Sequence, residues 1–349
     1  MDDYSLPAIL PDLLVPWYHE NKRALPWRED RQPYHIWISE IMLQQTRVEA
    51  VKGYYTRFLA ELPNISALAA CEDEKLHKLW EGLGSYSRVR NLKKAAQAIM
   101  TQYSGAFPTD YPAVLALPGI GEYTAGAICS IGYDLPTPAV DGNVLRVCAR
   151  LTGDEDSIDL PQTKKKVRQA LEKIYPACAG DFTQALMELG ATLCGPNWKP
   201  KCEACPCRNI CRGFQTGTAE RLPVRAAKRE KRQEDKTVFI FSCGDCYALR
   251  KRANRGLLAG LWEFPNVPGK LELNQALEAA QALGVTPREV RRQVERKHIF
   301  THIQWNLRGY YLEVSECSGD FQWFTAEEIN SQAALPTAFR QFWEEIDHV

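Results

Sequence analysis

Five of the twelve cysteines lie between positions 194 and 211, in the run CGPNWKPKCEACPCRNIC. Cys194, Cys202, Cys205 and Cys211 follow one another there with spacers of seven, two and five residues. Four thiolates on a short loop can hold a [4Fe-4S] cluster or a zinc ion. Zinc sites usually contain two tight Cys-x2-4-Cys pairs, and only one pair here is tight, so the spacing favours the iron–sulfur cluster. Cys207 could replace a neighbouring ligand or be a free thiol.

Two carboxylates, Glu40 and Asp141, are of the types required to cleave a glycosidic bond. Such cleavage uses one protonated acid to assist the leaving group and one ionised carboxylate to stabilise an oxocarbenium-like sugar. Glu40 lies in SEIMLQQT, and Asp141 lies in TPAVDGNVLRV, just before a predicted helix. Each also has a plain structural explanation, as an exposed helix glutamate and as a helix N-cap. The pair therefore needs a fold that brings the two side chains together.

Two segments are suited to binding an anion. LPGIGEYTAGAI places Gly119 and Gly121 just before a helix, where backbone N–H groups can approach a phosphate, although a tight turn between helices without a ligand has the same pattern. The cysteine loop is basic, with only Glu203 to oppose its cations, and phosphate contact is the expected use. Its basic residues are Lys199, Lys201, Arg208 and Arg212.

The elements that must position these residues are helical in the first half of the chain. From about 36 to 59 the apolar residues recur with a near-helical period, which predicts one long helix carrying Glu40. Further helical patterns follow up to about residue 193, and almost nothing alternates with the period of a strand. We expect a helical domain over residues 1–213, with the cysteine loop at 194–211.

The composition changes after Cys211. Residues 221–236 hold seven basic and three acidic residues and few apolar ones, so 214–236 is predicted to be a basic interdomain linker. Beyond it, two strand-like runs flank the Gly244-Asp245 turn, and 297–314 alternates over a long stretch. Helical patterns complete an α+β domain over residues 237–349.

The composition is that of an ordinary globular protein. Its 349 residues are 45% hydrophobic and 25% charged, and 43 basic residues balance 43 acidic ones, so the net charge gives no sign of a polyanionic partner. The start of the chain has no basic segment ahead of its short apolar stretch, and no uncharged run is long enough to cross a membrane. We expect a cytoplasmic, nucleoid-associated monomer that does not bind membranes.

Several motifs occur together in one order: LPW, SEIMLQQT, WEGLG, SRVRNLKKAA, LPGIGEYTAGAI, AVDGNV, FTQALMELGA, the four cysteines and FTH at 300–302. In this the chain resembles the MutY family of adenine DNA glycosylases, within the endonuclease III or helix-hairpin-helix superfamily. The resemblance implies an all-α helix-hairpin-helix glycosylase domain with an iron–sulfur loop, followed by an α+β Nudix-like domain. It also implies a partner, double-stranded DNA with adenine opposite 8-oxoguanine or guanine.

The resemblance implies a catalytic role for each of four residues. Glu40 would protonate N7 of a flipped adenine, and Asp141 would stabilise the oxocarbenium ion. Tyr123 and Asn143 match positions beside the reacting sugar and the water. An acid of this kind needs a pKa raised by burial to roughly 6 to 7, which we predict for Glu40. The positions that match those around the extruded base are Trp27, Arg28, Leu43 and Gln184, with Gln45 filling the gap in the helix.

Position 123 separates two chemistries within the superfamily. Endonuclease III has a lysine at this place, which forms a Schiff base and permits strand cleavage. Tyr123 cannot, so the resemblance implies a monofunctional glycosylase. Two rivals are an endonuclease III-like glycosylase and lyase for oxidised pyrimidines, and a non-catalytic DNA-binding or redox-sensing protein. Tyr123 and the second domain speak against the first, and the presence of Glu40 and Asp141 against the second.

The sequence departs from the family after GLG, at Thr301 and in the first cysteine spacer, which is one residue longer than the commonest form. An aromatic pair commonly follows GLG, and its first member wedges into the duplex. Here GLG is followed by Ser85, which cannot stack, and by Tyr86, the candidate to substitute for it. The second domain lacks a complete Nudix metal motif, so hydrolysis there is not expected. Its implied role is to recognise 8-oxoguanine through Phe300, Thr301 and His302, with threonine standing where serine is usual.

Overall fold

The computed structural model describes residues 4–196, 198–227 and 230–346. Its contacts divide the chain into two compact units. The first, which we call the helical unit, comprises Met1–Ala70 and Arg90–Ala227, and the second, the sheet unit, comprises Cys71–Val89 and Lys228–Val349. The grouping of residues 71–89 with the C-terminal half was not predicted. None of the described helices is both long and apolar enough to span a bilayer.

Helices make up the first 215 residues. In chain order they are α1 (Leu10–Asn21), α2 (Pro33–Leu43), α3 (Val48–Glu61), α4 (Ile65–Ala70), α5 (Asp73–Leu79), α6 (Ser87–Gln102), α7 (Tyr111–Leu115), α8 (Glu122–Tyr133), α9 (Gly142–Thr152), α10 (Pro161–Glu172), α11 (Ala179–Thr192) and α12 (Arg212–Gln215). Of these, α5 and the first turn of α6 belong to the sheet unit. The predicted helical architecture of this half is confirmed.

The expectation of one long helix over 36–59 is wrong. The chain leaves the helix after Leu43 and re-enters one at Val48, and Gln45 between them has a left-handed backbone, with φ of 60°. A non-glycine residue in this region interrupts the hydrogen-bond ladder of a helix. Both α2 and α3 bury apolar residues, so the apolar period continues from one helix to the next. The period alone therefore did not reveal the break between them.

The centre of the helical unit is formed by α8, α9 and α11. Helix α8 is buried along nearly its whole length, and at Gly126 a Cβ atom would lie 2.3 Å from the backbone oxygen of Pro138. Only glycine therefore allows the chain ahead of α9 to approach α8 this closely. Asp141 caps the N-terminus of α9, and Gly153, with φ of 70°, ends it.

A seven-stranded sheet forms the sheet unit, in the order β3-β2-β1-β6-β5, with β4 paired to β1 and β7 to β2. Its elements are β1 (Arg232–Cys243), β2 (Cys246–Lys251), β3 (Trp262–Glu263), β4 (Asn266–Pro268), α13 (Leu273–Ala282), β5 (Pro287–Ile299), β6 (Ile303–Val314), β7 (Gln322–Thr325), α14 (Ala326–Ser331) and α15 (Thr337–Trp343). The predicted α+β class is confirmed, and Cys243 pairs with Cys246 across the predicted turn.

The predicted linker ends earlier than residue 236. Strand β1 begins at Arg232 and runs parallel to β6, with Arg232 opposite Ile303. The first residues of β1 are charged and mostly exposed, so they have the composition of a solvated segment although their backbone is paired. Residues 228 and 229 of the predicted linker lie outside the described part of the chain.

Candidate active site and cysteine loop

A cavity of about 680 Å³ lies in the helical unit, between α2, the N-terminal ends of α8 and α9, and α11. Its size falls within the range of about 300–1,000 Å³ that is typical of small-ligand sites. Nine of the residues predicted from the sequence line it. They are Trp27, Arg28, Glu40, Leu43, Gln45, Tyr123, Asp141, Asn143 and Gln184.

Glu40 is buried in the wall of this cavity, on α2, with 6% of its surface exposed. Its Oε2 atom accepts a hydrogen bond from the Tyr123 hydroxyl. Burial raises the pKa of Glu40 to about 7, the charge of Asp141 acts in the same direction, and the Tyr123 hydrogen bond opposes both. The pKa falls in the range predicted for a general acid, and burial is the cause that was predicted.

Asp141 is held by more donors than Glu40. Its Oδ1 accepts from the backbone N–H of Val144 at 2.7 Å, and its Oδ2 accepts from the Asn143 side-chain amide at 2.8 Å. Burial raises the pKa of Asp141, while these hydrogen bonds and the charge of Arg146 oppose the rise. Because two amides and a cation stabilise its charged form, Asp141 ionises before Glu40. The helix-cap explanation and the functional one hold together, since the cap fixes the carboxylate in the cavity.

Tyr123 stands at the start of α8 and connects the two carboxylates electrostatically. Burial raises its pKa well above the usual value, and the charges of Glu40 and Asp141 raise it further. The phenol therefore keeps its proton and remains a donor to Glu40. Glu40, Asp141 and Tyr123 are thus three buried titratable groups that release their protons at different pH values. This is the arrangement expected of an acid–base site.

Sequence reasoning missed Glu188, a fully buried acid on α11 that also lines the cavity. Its Oε1 accepts from Arg23 Nε at 2.7 Å, and its Oε2 accepts from Arg28 Nη2 at 2.7 Å. Burial opposes its ionisation, but these hydrogen bonds outweigh it and lower the pKa of Glu188. Glu188 thus fixes Arg28, one of the predicted base-binding residues. The signal was available, because Glu188 is the only charge in the apolar run ALMELGA and a buried charge requires a partner.

Two cations of the cavity rim were also not predicted. Lys164 of α10 and Arg225 both line the cavity and are exposed. Arg225 follows Val224, whose carbonyl accepts a hydrogen bond from the backbone N–H of Ile158 at 3.1 Å. This contact secures part of the predicted linker against the helical unit. Two cations therefore stand at the rim with the exposed Asp159, beside a cavity with acidic walls.

The glycine hairpin lies between α7 and α8. Gly119 has φ of 76°, and a Cβ atom there would lie 2.5 Å from the Asn91 side chain. Gly119 is exposed, as is Gly121, which precedes the first residue of α8 and has open space around its Cα. The backbone is thus accessible at this helix N-terminus, as the anion-binding interpretation requires.

Ser85 and Tyr86 have different surroundings. Ser85 is exposed, with φ of 44°, on a loop whose Gly84 carbonyl accepts hydrogen bonds from Trp80 Nε1 at 3.0 Å and from Arg88 at 3.1 Å. Tyr86 is 4% exposed and packs edge-on against His77. The suggestion that Tyr86 substitutes for the missing wedge is therefore wrong for this conformation, because its ring is part of the core.

The predicted recognition residues lie on the tight connection between β5 and β6. Phe300 is half-buried and packs edge-on against Trp305, and its carbonyl accepts from Lys231 Nζ at 2.6 Å. Thr301 and His302 are exposed at the tip. Phe300 anchors the loop within the sheet unit, which leaves the other two side chains available for contact.

Four of the five clustered cysteines surround one small space. Cys194, Cys202, Cys205 and Cys211 all line it, while Cys207 is fully buried in the apolar core of the helical unit. Arg150 of α9 donates to Cys194 Sγ at 3.2 Å. The predicted set of four thiols is therefore brought together, and Cys207 does not line the space, although its thiol contacts Cys205.

The charge of the cysteine loop is partly neutralised within the protein. Arg208 pairs with Glu203 at 2.5 Å, and Lys199 lies 3.5 Å from Glu220. Arg212 packs its methylenes beneath Gly153. The loop is thus less positive than its composition indicated, because two of its four cations have an acidic neighbour.

The two halves of the chain each match a known protein family. Residues 38–177 match the HhH-GPD superfamily base excision DNA repair proteins, and residues 237–345 match the NUDIX domain. An adenine DNA glycosylase of Mus musculus is 34% identical over 392 residues, covering 94% of this chain and 76% of its own. That of Buchnera aphidicola subsp. Baizongia pistaciae is 32% identical and covers 87% and 86%. The chain belongs to the adenine DNA glycosylase family.

Solved structures agree on the fold of the helical unit. A thermostable thymine-DNA glycosylase superposes with a TM-score of 0.54 at 28% identity, over 60% of this chain and 96% of its own. Endonuclease III in a non-covalent complex with DNA superposes with a TM-score of 0.50 at 24% identity, a likeness of fold alone. The protein is thus a DNA glycosylase with a helix-hairpin-helix domain and a Nudix-like domain, as the sequence predicted.

Proposed function

We propose that this glycosylase hydrolyses the N-glycosidic bond of adenine mispaired with guanine or 8-oxoguanine in double-stranded DNA. The observation that carries the proposal is the pair of buried carboxylates, Glu40 bonded to Tyr123 and Asp141 held by amides, in one cavity. The names of the relatives support adenine as the base that is removed. A base can reach these groups only after it is flipped from the duplex.

Glu40 acts as the general acid. With a pKa of about 7 it holds a proton in a large fraction of molecules near neutral pH. Transfer of that proton to N7 of adenine withdraws electrons from the bond between N9 and C1′. The bond then breaks, its electron pair leaves with the base, and the sugar becomes an oxocarbenium ion. Tyr123 keeps the Glu40 carboxyl oriented through the hydrogen bond to Oε2.

Asp141 supplies the negative charge that the sugar cation requires. Its two oxygens are fixed by Val144 and Asn143, so no reorganisation is needed when the cation forms. Water adds to C1′ and releases a proton to complete hydrolysis. The Asn143 amide oxygen accepts from Arg146 at 2.8 Å, which fixes the amide group beside the reacting centre.

The remaining residues of the cavity bind the base. Trp27 offers an aromatic ring and Leu43 an apolar side chain, while Arg28 and Gln184 offer polar groups for the base edge. Glu188 positions Arg28 through the buried ion pair. Gln45 is exposed on a left-handed backbone beside the cavity, which suits a residue that fills the space left by the flipped base.

The cysteine loop would hold a [4Fe-4S] cluster through Cys194, Cys202, Cys205 and Cys211. The four thiols fit such a group because they line one space, and Arg150 can donate to the Cys194 sulfur. Only one pair of these cysteines has the tight spacing of a zinc knuckle, which favours a cluster over zinc. The cluster would fix the loop for phosphate contact, and the excision step uses no electron transfer.

Recognition of the partner base would fall to Thr301 and His302, which are exposed on a loop anchored by Phe300. Ser85 can offer a hydroxyl but no stacking surface. We therefore expect discrimination between 8-oxoguanine and guanine to depend mainly on the loop of the sheet unit.

The experiment is a panel of duplexes with one adenine opposite 8-oxoguanine, guanine or thymine, with base release followed under single-turnover conditions. We expect release from the first two and not from the third. A fourth duplex carries an oxidised pyrimidine opposite guanine, and release of that base instead of adenine would contradict the proposal and favour the endonuclease III-like alternative. Efficient borohydride trapping on DNA would contradict the monofunctional chemistry, because Tyr123 cannot form a Schiff base.

A further inference from the structure

Three cysteines that are distant from the catalytic cavity meet at one end of the sheet unit. Cys243 ends β1 and Cys246 begins β2, and the two are direct partners across the Gly244-Asp245 turn. Cys317 lies in the turn after β6. Because β1 runs parallel to β6, with Ser242 opposite Glu313, the end of β1 lies beside the residues that lead into this turn.

The turn that carries Cys317 is held by hydrogen bonds on both sides of the cysteine. Ser315 N–H donates to the Thr286 carbonyl at 3.0 Å, and Ser318 Oγ donates to the Gly284 carbonyl at 2.9 Å. The position of Cys317 next to the hairpin is therefore a property of the packed fold. The backbones of Gly284 and Gly319 are also packed closely together, since a Cβ atom on Gly284 would lie only 3.1 Å from the Gly319 Cα.

The thiols are close enough to influence one another. Partial desolvation, the hydrogen bond to the Cys243 thiol and the charges of Cys243 and Cys246 raise the pKa of Cys317 to about 11. Cys317 thus keeps its proton and donates a hydrogen bond to the Cys243 sulfur, so the two thiols are in contact. Cys317 is exposed and the other two are half-buried, so a small oxidant can reach the group.

A single metal ion does not fit these thiols. Across 4–196, 198–227 and 230–346, no three Cys, His, Asp or Glu side chains are placed so that they could hold one. The Cys243 and Cys317 thiols are hydrogen-bonded to each other, so their sulfur atoms are close enough for a disulfide to join them. Contact between two thiols, one of them exposed, favours the chemistry of thiol oxidation.

We infer that Cys243 and Cys317 form a reversible disulfide on exposure to a peroxide, with Cys246 as a third thiol able to exchange. The Cys243 thiolate attacks one peroxide oxygen, the O–O bond breaks, hydroxide leaves, and a sulfenic acid remains on Cys243. The Cys317 sulfur then attacks Cys243, the S–O bond breaks, and water leaves as the S–S bond forms. In sum, two thiols lose two hydrogens and one hydrogen peroxide becomes two waters.

The position of this pair separates it from DNA recognition. Strand β6 has 12 residues, and the pair lies at its C-terminal end while Thr301 and His302 precede its start. At ~3.3 Å per residue the two ends are roughly 35–40 Å apart. The disulfide would join the turn after β6 to β1 without touching the recognition loop, so adenine release should not change on oxidation.

The test uses the full-length protein with its cluster, treated with dilute hydrogen peroxide and then denatured, alkylated and mapped by peptide mass spectrometry. We expect a linked Cys243–Cys317 peptide that dithiothreitol reverses, absent in Cys317→Ser and retained in Cys178→Ser. Cys178 is a matched control because it is an exposed thiol of the helical unit.

Free Cys317 after treatment, a Cys243–Cys246 bond instead, or zinc retained by these thiols would each overturn the inference. Adenine release is measured in parallel. A protein that forms the disulfide but releases no adenine would contradict the proposed function and leave the disulfide inference standing.

Discussion

Glu40 and Asp141 share one cavity, yet their surroundings give them different protonation states. Glu40 receives one hydrogen bond, from a phenol, whereas Asp141 receives two amide hydrogen bonds and lies near Arg146. Burial disfavours the charge of both, but Asp141 has more hydrogen-bond donors that oppose this effect. Two identical functional groups are thereby divided into a proton donor and a stabilising anion.

This division predicts a bell-shaped dependence of the single-turnover rate on pH. The rate should fall as pH rises through about 7, because Glu40 loses the proton that it must deliver. It should also fall at low pH, where Asp141 gains a proton, and this limb should lie above the ordinary value of 3.8 because burial raises that pKa. Base release measured by quenched flow from acid to alkaline pH gives the profile.

A variant of Tyr123 tests whether Glu40 is the group whose titration causes the fall in rate at high pH. Tyr123→Phe removes a hydrogen bond that lowers the pKa of Glu40, so the limb should move to higher pH. A basic limb at the same pH in both proteins would show that Glu40 is not the titrating acid.

At the scale of the elements, the approach of α8 to the chain ahead of α9 determines where Asp141 lies. Gly126→Ala would place a Cβ atom 2.3 Å from the Pro138 carbonyl oxygen, so the two segments must separate. We expect a loss of about 1–3 kcal/mol in the free energy of unfolding, together with slower base release. Chemical denaturation and the single-turnover assay measure both.

The control for this prediction is Gly53→Ala on α3. Nothing lies within 4 Å of a Cβ atom at Gly53, so alanine should stabilise the helix by about 0.5–1 kcal/mol. Equal effects of the two substitutions would mean that the close approach at Gly126 is unimportant.

The elements were largely predictable because their signals are local. The buried period of α8 and the capping Asp141 with its following glycine could be recognised in the sequence, as could the Cys-Gly-Asp-Cys hairpin. The break at Gln45 and the strand backbone of Arg232 could not, because the first depends on a single left-handed residue and the second on pairing with a strand 71 residues later. Glu188 was detectable as a single charge in an apolar run, but its partners Arg23 and Arg28 were not, because they are distant in sequence.

At the scale of the whole molecule, the balanced charge of the chain conceals a local arrangement. The net charge is zero, but exposed Lys164 and Arg225 line the rim of the catalytic cavity. DNA carries its charge on the backbone, so cations at the mouth of an acidic cavity can hold the phosphates that flank a flipped nucleotide. Binding therefore depends on where the cations stand and not on their number.

This arrangement predicts a specific salt dependence. Replacing both Lys164 and Arg225 by alanine should weaken DNA binding and reduce the slope of log K against log salt by about 2, roughly one for each lost phosphate contact. Lys165→Ala is the control, because Lys165 is an exposed lysine of the same helix, α10, that does not line the cavity. An equal change of slope in the control would indicate a diffuse charge effect. Fluorescence anisotropy over a range of salt concentrations measures the slopes.

The most direct test of the central claim is single-turnover release of adenine by Glu40→Gln. Glutamine keeps the size of the side chain but cannot deliver the proton, so we predict a fall in rate of about 10²–10⁴-fold at neutral pH. Binding of the mispaired duplex should be retained. A variant that binds DNA normally and releases adenine within a few-fold of the unaltered protein would contradict the assignment of Glu40 as the general acid.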